Sequence, residues 1–216
     1  MIPLSLRIRR ETHRAIASAQ DTILKEVYLH LDKAVLHGGT AIWRCYQGRR
    51  FSEDLDFYFP KELARIQEIF AALEKLGFRI SKKKIGARSV YSELERDRAV
   101  VRLEATFQNI PGHLVDYETV EGNFITIYSL TPEEFVREKV SAYLSRKKVR
   151  DLYDIFFLLK LVKLVSGVKK DLERLLKAYA PPQDEQDLKV LVLEGLAPSA
   201  SEMKEYIQRT WESANT

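Results

Sequence analysis

At 216 residues, with 45% hydrophobic and 31% charged positions, the chain is long enough to bury a real core and too apolar to be a disordered polymer. A single cysteine, Cys45, excludes an internal disulfide and suits a reducing cytoplasm, and no apolar run reaches membrane-spanning length or forms a signal-peptide core at the start, MIPLSLRIRRE. The formal charge of +4 permits a polyanionic partner without requiring one.

In chain order, residues 11–33 carry apolar positions at helical spacing (Ile16, Ile23, Leu24, Val27, Leu31) and predict a helix. A short apolar step, AVLHGGTAIW, interrupts it at Gly38-Gly39, and helix resumes over 41–47. The stretch GRRFSEDLDFYF then predicts a strand ended by Pro60, and KELARIQEIFAALEKLGF an amphipathic helix stopping at Gly77. Strand patterns follow at 78–84, 87–94 and 98–107. The third alternates, with Val101, Leu103 and Ala105 facing one way and Arg102, Glu104 and Thr106 the other. FITIYSL predicts a further strand, leading to Thr131-Pro132-Glu133-Glu134, a capping box with proline at the first helical position. Helical patterns then run over 132–146, 150–165, 168–180, 184–194 and 200–212, punctuated by Pro181-Pro182 and Pro198. The expected class is α+β: a helix-flanked mixed sheet in a first domain, residues 1–129, and a helical bundle in a second, residues 130–216.

Within this layout Asp54 and Asp56 stand one residue apart on a strand, so both carboxylates lie on the same face. Two converging carboxylates repel unless a cation joins them, and Mg²⁺ is commonly held by one or two carboxylates plus substrate phosphates. Alone, such a pair is more often ordinary strand-surface charge. Upstream, Gly38-Gly39-Thr40 opens a helix where backbone N–H groups can approach a phosphate, although a glycine pair is usually just a turn. Downstream, Glu104 adds a third acidic residue on a polar strand face; its plain alternative is a solvent-facing partner for Arg102.

Two further positions break the helical patterning. Lys139 falls within the apolar arc formed by Phe135, Val136, Val140, Tyr143 and Leu144, so it must snorkel or meet an anion. In RDLYDIFFLLKLV, Asp151 and Asp154 share one face; Asp151 is explained by the first turn of a helix, whereas Asp154 sits among apolar neighbours. A structural Lys139–Asp154 ion pair stands beside a catalytic role as an explanation.

Taken together, LHGGTAIWRCYQGRRFSEDLDF resembles the signature of the DNA-polymerase-β-like nucleotidyltransferase superfamily. With EKVSAYLSRKKVRDLYDIFFLL it is similar to the AbiEii/AbiGii toxin family, the toxin halves of type IV abortive-infection toxin–antitoxin systems, to which the MenT toxins are related. The likeness spans about residues 22–162. It implies a cytoplasmic, NTP-dependent, pyrophosphate-releasing nucleotidyltransferase with an RNA acceptor such as a tRNA 3′ end. It also implies a cognate antitoxin or transcriptional regulator as partner and no membrane association. Carried onto this chain, Gly38, Gly39 and Thr40 would shape a phosphate-binding turn and Ser52 would lie near the nucleotide phosphates. Asp54, Asp56 and Glu104 would hold Mg²⁺ or Mn²⁺. Lys139 would contact the triphosphate, and Asp154, or else Asp151, would act as base or orienter. Basic residues in SKKKIGAR and SRKKVR are candidate RNA phosphate contacts. Transfer to a small molecule, and a non-catalytic partner-binding module of the same fold, are the competing functions.

Overall fold

The computed structural model describes residues 3–213. The chain divides into two compact units: residues up to Gln47 with Phe51–Leu130, and Gly48–Arg50 with Thr131 onward. No helix among the described residues is long and apolar enough to cross a membrane.

The first unit begins with a single helical turn, α1 (Leu4–Arg7), and the long helix α2 (Glu11–His30). A short strand β1 (Val35–His37) runs directly into α3 (Gly38–Cys45), followed by β2 (Leu55–Phe59), α4 (Leu63–Lys75), β3 (Arg79–Ile85), β4 (Ser89–Arg96), β5 (Ala99–Phe107), β6 (His113–Glu118) and β7 (Phe124–Ser129). Among the described residues these strands form one seven-stranded mixed sheet in the order β3-β4-β5-β2-β1-β7-β6. β2 is parallel to β5 and β1 is parallel to β7, while the other neighbouring pairs are antiparallel.

The alternating residues decide which face is covered. Leu55, Phe57 and Phe59 of β2, Val90 and Leu94 of β4, and Val101, Leu103 and Ala105 of β5 are all buried. They share the core with Ile23, Leu24 and Val27 of α2 and Ile66, Ile69, Phe70 and Leu73 of α4. Burying a side chain of this size contributes about 1.5–3 kcal/mol, which is why the periodicity of two persists through these strands. The opposite face carries the polar positions, Asp54, Asp56, Arg102 and Glu104 among them.

Two strands are additions to the elements expected from the sequence. β1 has only three residues and reads as an apolar step, and β6 (HLVDYE) runs from exposed positions to the buried Tyr117 and Glu118 without alternating. The helix expected from 41 starts earlier, at Gly38, because β1 delivers the chain straight into its first turn.

The second unit contains α5 (Pro132–Arg146), α6 (Val149–Leu158), α7 (Lys169–Lys177), α8 (Leu188–Leu191) and α9 (Ala200–Ser213). The capping box forms: Thr131 accepts from the Glu134 backbone N–H, and the Glu134 carboxylate accepts from the Thr131 N–H at 2.8 Å. α6 stops at Leu158 although apolar residues continue toward 165; Leu161 and Leu164 are exposed, so no packing prolongs the helix. The pattern over 184–194 yields only a 3-10 turn at Glu185–Asp187 and the short α8, since Val192 leaves helical geometry to form a bridge with Arg50.

Candidate active site

The β1–α3 turn is a point of close approach in the first unit. Gly38 has φ +72°, and a Cβ placed there would lie 2.1 Å from Asp56 Oδ2. Only glycine therefore fits both the backbone angle and the space. His37, paired across the sheet with Asp56, stacks on Tyr58 with ring centroids 4.0 Å apart.

The loop entering β2 is pinned from behind. Thr40 is fully buried, and its hydroxyl donates to the Asp54 carbonyl at 2.5 Å. Gln20, also fully buried, donates from Nε2 to the Ser52 carbonyl at 3.0 Å. Thus Thr40, which the resemblance assigns to the nucleotide, spends its hydroxyl on the backbone that carries Asp54. Ser52 is half-buried, its main chain held by Gln20. Helix α3 is itself anchored by the buried Arg44, which forms an ion pair with Asp21 and donates from Nε to the Glu118 carbonyl at 2.6 Å. Tyr117 Oη and the Val120 N–H complete the shell around Asp21, at 3.0 and 2.7 Å. Burial still leaves the Asp21 carboxyl above its ordinary pKa despite Arg44. Motif reading passes over Gln20, Asp21 and Arg44; polar residues in otherwise core-facing helical positions are the signal that could have found them.

The acidic positions lie together on the polar sheet face. Asp56 and Glu104 are paired in register on the parallel strands β2 and β5. Burial, then the charge of Asp56 and, less strongly, that of Asp54, push the Glu104 carboxyl above its ordinary value, with Arg102 opposing. Arg102 is not primarily the partner of Glu104. Its guanidinium clamps Asp54 with two bonds, at 2.7 and 2.6 Å. Among the described residues no three His, Cys, Asp or Glu side chains converge closely enough to hold a metal ion. The donor set nevertheless suits a hard divalent cation, because it is all carboxylate and its mutual repulsion helps to raise Glu104.

Lys139 and Asp154 belong to the second unit, where they form a buried network with Arg50. Lys139 Nζ lies 2.7 Å from Asp154 and 3.5 Å from Asp151. Arg50 grips Asp154 through Nε and Nη2, both at 2.6 Å. Arg146 does the same to Asp151, at 2.7 and 2.8 Å. Burial alone would raise the Asp154 carboxyl, but Arg50 and Lys139 outweigh it and hold the group below its ordinary value. Lys139 thus meets the anion its place in the apolar arc demanded. Arg50, adjacent in sequence to the acidic strand, is the partner that the sequence concealed.

The family model for the nucleotidyl transferase AbiEii toxins of type IV toxin–antitoxin systems matches residues 23–211. Among solved structures, the chain is similar to JHP933 from Helicobacter pylori at 22% identity and a TM-score of 0.60, covering 92% of this chain and 93% of that one. A second H. pylori structure, described as a candidate nucleotidyltransferase, matches at 22% identity and a TM-score of 0.61, covering 92% and 96%. A search of the curated proteins finds no significant match.

Proposed function

Because the chain belongs to the AbiEii family of nucleotidyltransferase toxins, we propose that it moves a nucleoside monophosphate from an NTP to RNA, at a tRNA 3′ end. It does so in the cytoplasm as the toxin of an abortive-infection toxin–antitoxin pair, with a cognate antitoxin or regulator as partner. One observation carries this assignment: Asp56 and Glu104 face each other in register on the polar sheet face, with Asp54 beside them and Gly38 packed against Asp56.

In the transfer, an acceptor hydroxyl oxygen bonds to the α-phosphorus as the α–β bridging P–O bond breaks, pyrophosphate leaves, and the hydroxyl proton is released. Asp54, Asp56 and Glu104 would hold Mg²⁺ or Mn²⁺, which supplies charge neutralisation on the phosphates and a lowered pKa for the attacking hydroxyl. Gly38 and Gly39 present backbone N–H groups at the start of α3, a position suited to phosphate oxygens, and Ser52 supplies a hydroxyl for the same phosphates. Thr40 acts from behind, holding the Asp54 main chain in place. Lys139 is assigned to the triphosphate and Asp154 to its orientation. Each is tested by whether Lys139→Met or Asp154→Asn lowers transfer beyond what its change in stability accounts for.

The test of the whole assignment is labelling of total RNA with each α-labelled NTP separately, using wild type and Asp54→Ala. Labelled RNA with at least one NTP is expected from the wild type. Loss of about 10²–10³ or more in rate is expected from a natively folded Asp54→Ala. Wild-type transfer by Asp54→Ala sinks the site, and label appearing only on added aminoglycosides moves the acceptor to a small molecule.

A further inference from the structure

We propose that the outer face of β4 and β3 is a lane for the single-stranded 3′ end of the acceptor nucleic acid, with Tyr91 as its stacking platform and Lys84 and Lys82 as its phosphate contacts. The lane is built by strand register. Asp56 pairs with Glu104, Glu104 with Tyr91, and Tyr91 with Lys84, so one row crosses β2, β5, β4 and β3 from the carboxylates to the edge of the sheet. At about 4.8 Å per strand, the Tyr91 backbone lies roughly 10 Å from that of Asp56, and Lys84 roughly 14 Å.

The side-chain facing is fixed by burial. Val90, Ser92 and Leu94 of β4 are buried on the helix-covered face, which leaves Tyr91 and Glu93 on the carboxylate face. On β3, Lys83 takes the covered side, its ammonium 5.1 Å from the Phe70 ring centroid, so Lys82 and Lys84 take the other. The Tyr91 hydroxyl donates to Glu93 at 2.6 Å, and Lys82 reaches the same carboxylate at 3.0 Å. That anchor holds one edge of a half-exposed ring. Lys84 is exposed, with no ion-pair partner among the described residues.

An aromatic ring beside cations on an open sheet face is the arrangement that takes unpaired bases: the ring stacks on one base and the cations track the backbone. A hydroxyl presented at Asp56 and Glu104 would therefore be preceded by a base over Tyr91 and a phosphate near Lys84. Lysines on an edge strand also prevent sheet-to-sheet pairing. That role does not need Tyr91, and it makes a different prediction.

The lane rests on the assignment of an RNA acceptor above, and binding measurements separate the two. A short 5′-fluorescein single-stranded oligoribonucleotide with a free 3′ hydroxyl is titrated by anisotropy. Tyr91→Ala is expected to weaken binding roughly 5- to 150-fold, with Tyr91→Phe restoring it. Lys82→Gln/Lys84→Gln is expected to reduce the slope of log affinity against log salt by about 1.4. The KM for NTP stays at its wild-type value in both. Wild-type RNA affinity in a folded Tyr91→Ala protein overturns the lane, as does an unchanged salt slope in the lysine variant. Because both lysines are exposed, that second variant remains decisive should Tyr91→Ala unfold. Self-association of the lysine variant with unaltered RNA binding assigns those residues to edge protection and also overturns it. Should Asp54→Ala continue to label RNA while Tyr91→Ala loses RNA binding, the catalytic assignment fails and the lane stands.

Discussion

Arg102 and Asp54 form a two-bond clamp on the polar face of the sheet, and the clamp places a cation at the carboxylates that the chemistry would give to a metal. The same guanidinium opposes the upward shift of Glu104, whose larger causes are burial and the Asp56 charge. A divalent ion drawn to the same carboxylates would therefore have to compete with Arg102 for the Asp54 oxygens.

Removing the competitor should favour the metal. Arg102→Ala is expected to bind Mn²⁺ several-fold more tightly, read from the free-ion electron paramagnetic resonance signal. Its stability should change by no more than about 1 kcal/mol, since the Arg102 side chain is 44% exposed. Unchanged or weaker Mn²⁺ binding would show that the clamp does not compete.

Gly38→Ala tests the turn. The substitution demands φ near +72° from an L side chain and puts a methyl into Asp56. A destabilisation of about 1–2 kcal/mol or more is expected from the backbone angle alone. Displacement of Asp56 should also abolish RNA labelling. A variant with wild-type melting and wild-type labelling would contradict the geometry.

Thr40→Val keeps the shape of a buried side chain and deletes its hydroxyl. The Asp54 carbonyl loses a 2.5 Å donor in a buried setting, which costs about 1–3 kcal/mol. Transfer should fall while the KM for RNA stays put, because the Thr40 hydroxyl is already given to the Asp54 carbonyl. Thr40→Ser, which keeps the hydroxyl, should restore most of the rate.

Asp154→Asn removes the counter-charge from two buried cations, Arg50 and Lys139, and is expected to cost about 3–5 kcal/mol in a denaturant melt. The wild-type carboxyl titrates below its ordinary value of 3.8. Its stabilisation is thus complete above that pH and is lost as pH falls through the lower folded value. The variant should lack this part of the acid dependence, so the two stabilities converge at low pH.

Much of this arrangement is legible in the residues themselves. Alternation alone separates Leu55, Phe57 and Phe59 from Asp54 and Asp56, because a strand with one buried face has no freedom to slip by one residue. The capping box at Thr131 and the misplaced Lys139 are equally readable, each being a local conflict or a local rule. What stays hidden has one physical origin: long-range pairing leaves no periodic trace. Three residues of β1 are too few for a pattern, and β6 lacks a clean alternation. Arg102 reads as a strand-surface charge until β2 and β5 are laid side by side. Arg50 looks like the end of a basic loop, and nothing local announces that it neutralises a carboxylate 104 positions away.

The membership of Gly48–Arg50 in the second unit has a practical consequence for anyone who would cut this protein in two. The backbone passes between the units at Gln47, returns at Phe51, and leaves again after Leu130. Truncation after Leu130 would strand Arg50 on the wrong fragment, parting it from Asp154 and from its bridge to Val192. The helical fragment would in turn keep a buried carboxylate with one of its two cations gone. The pieces are laced rather than linked, and they are best expressed, mutated and assayed as one chain.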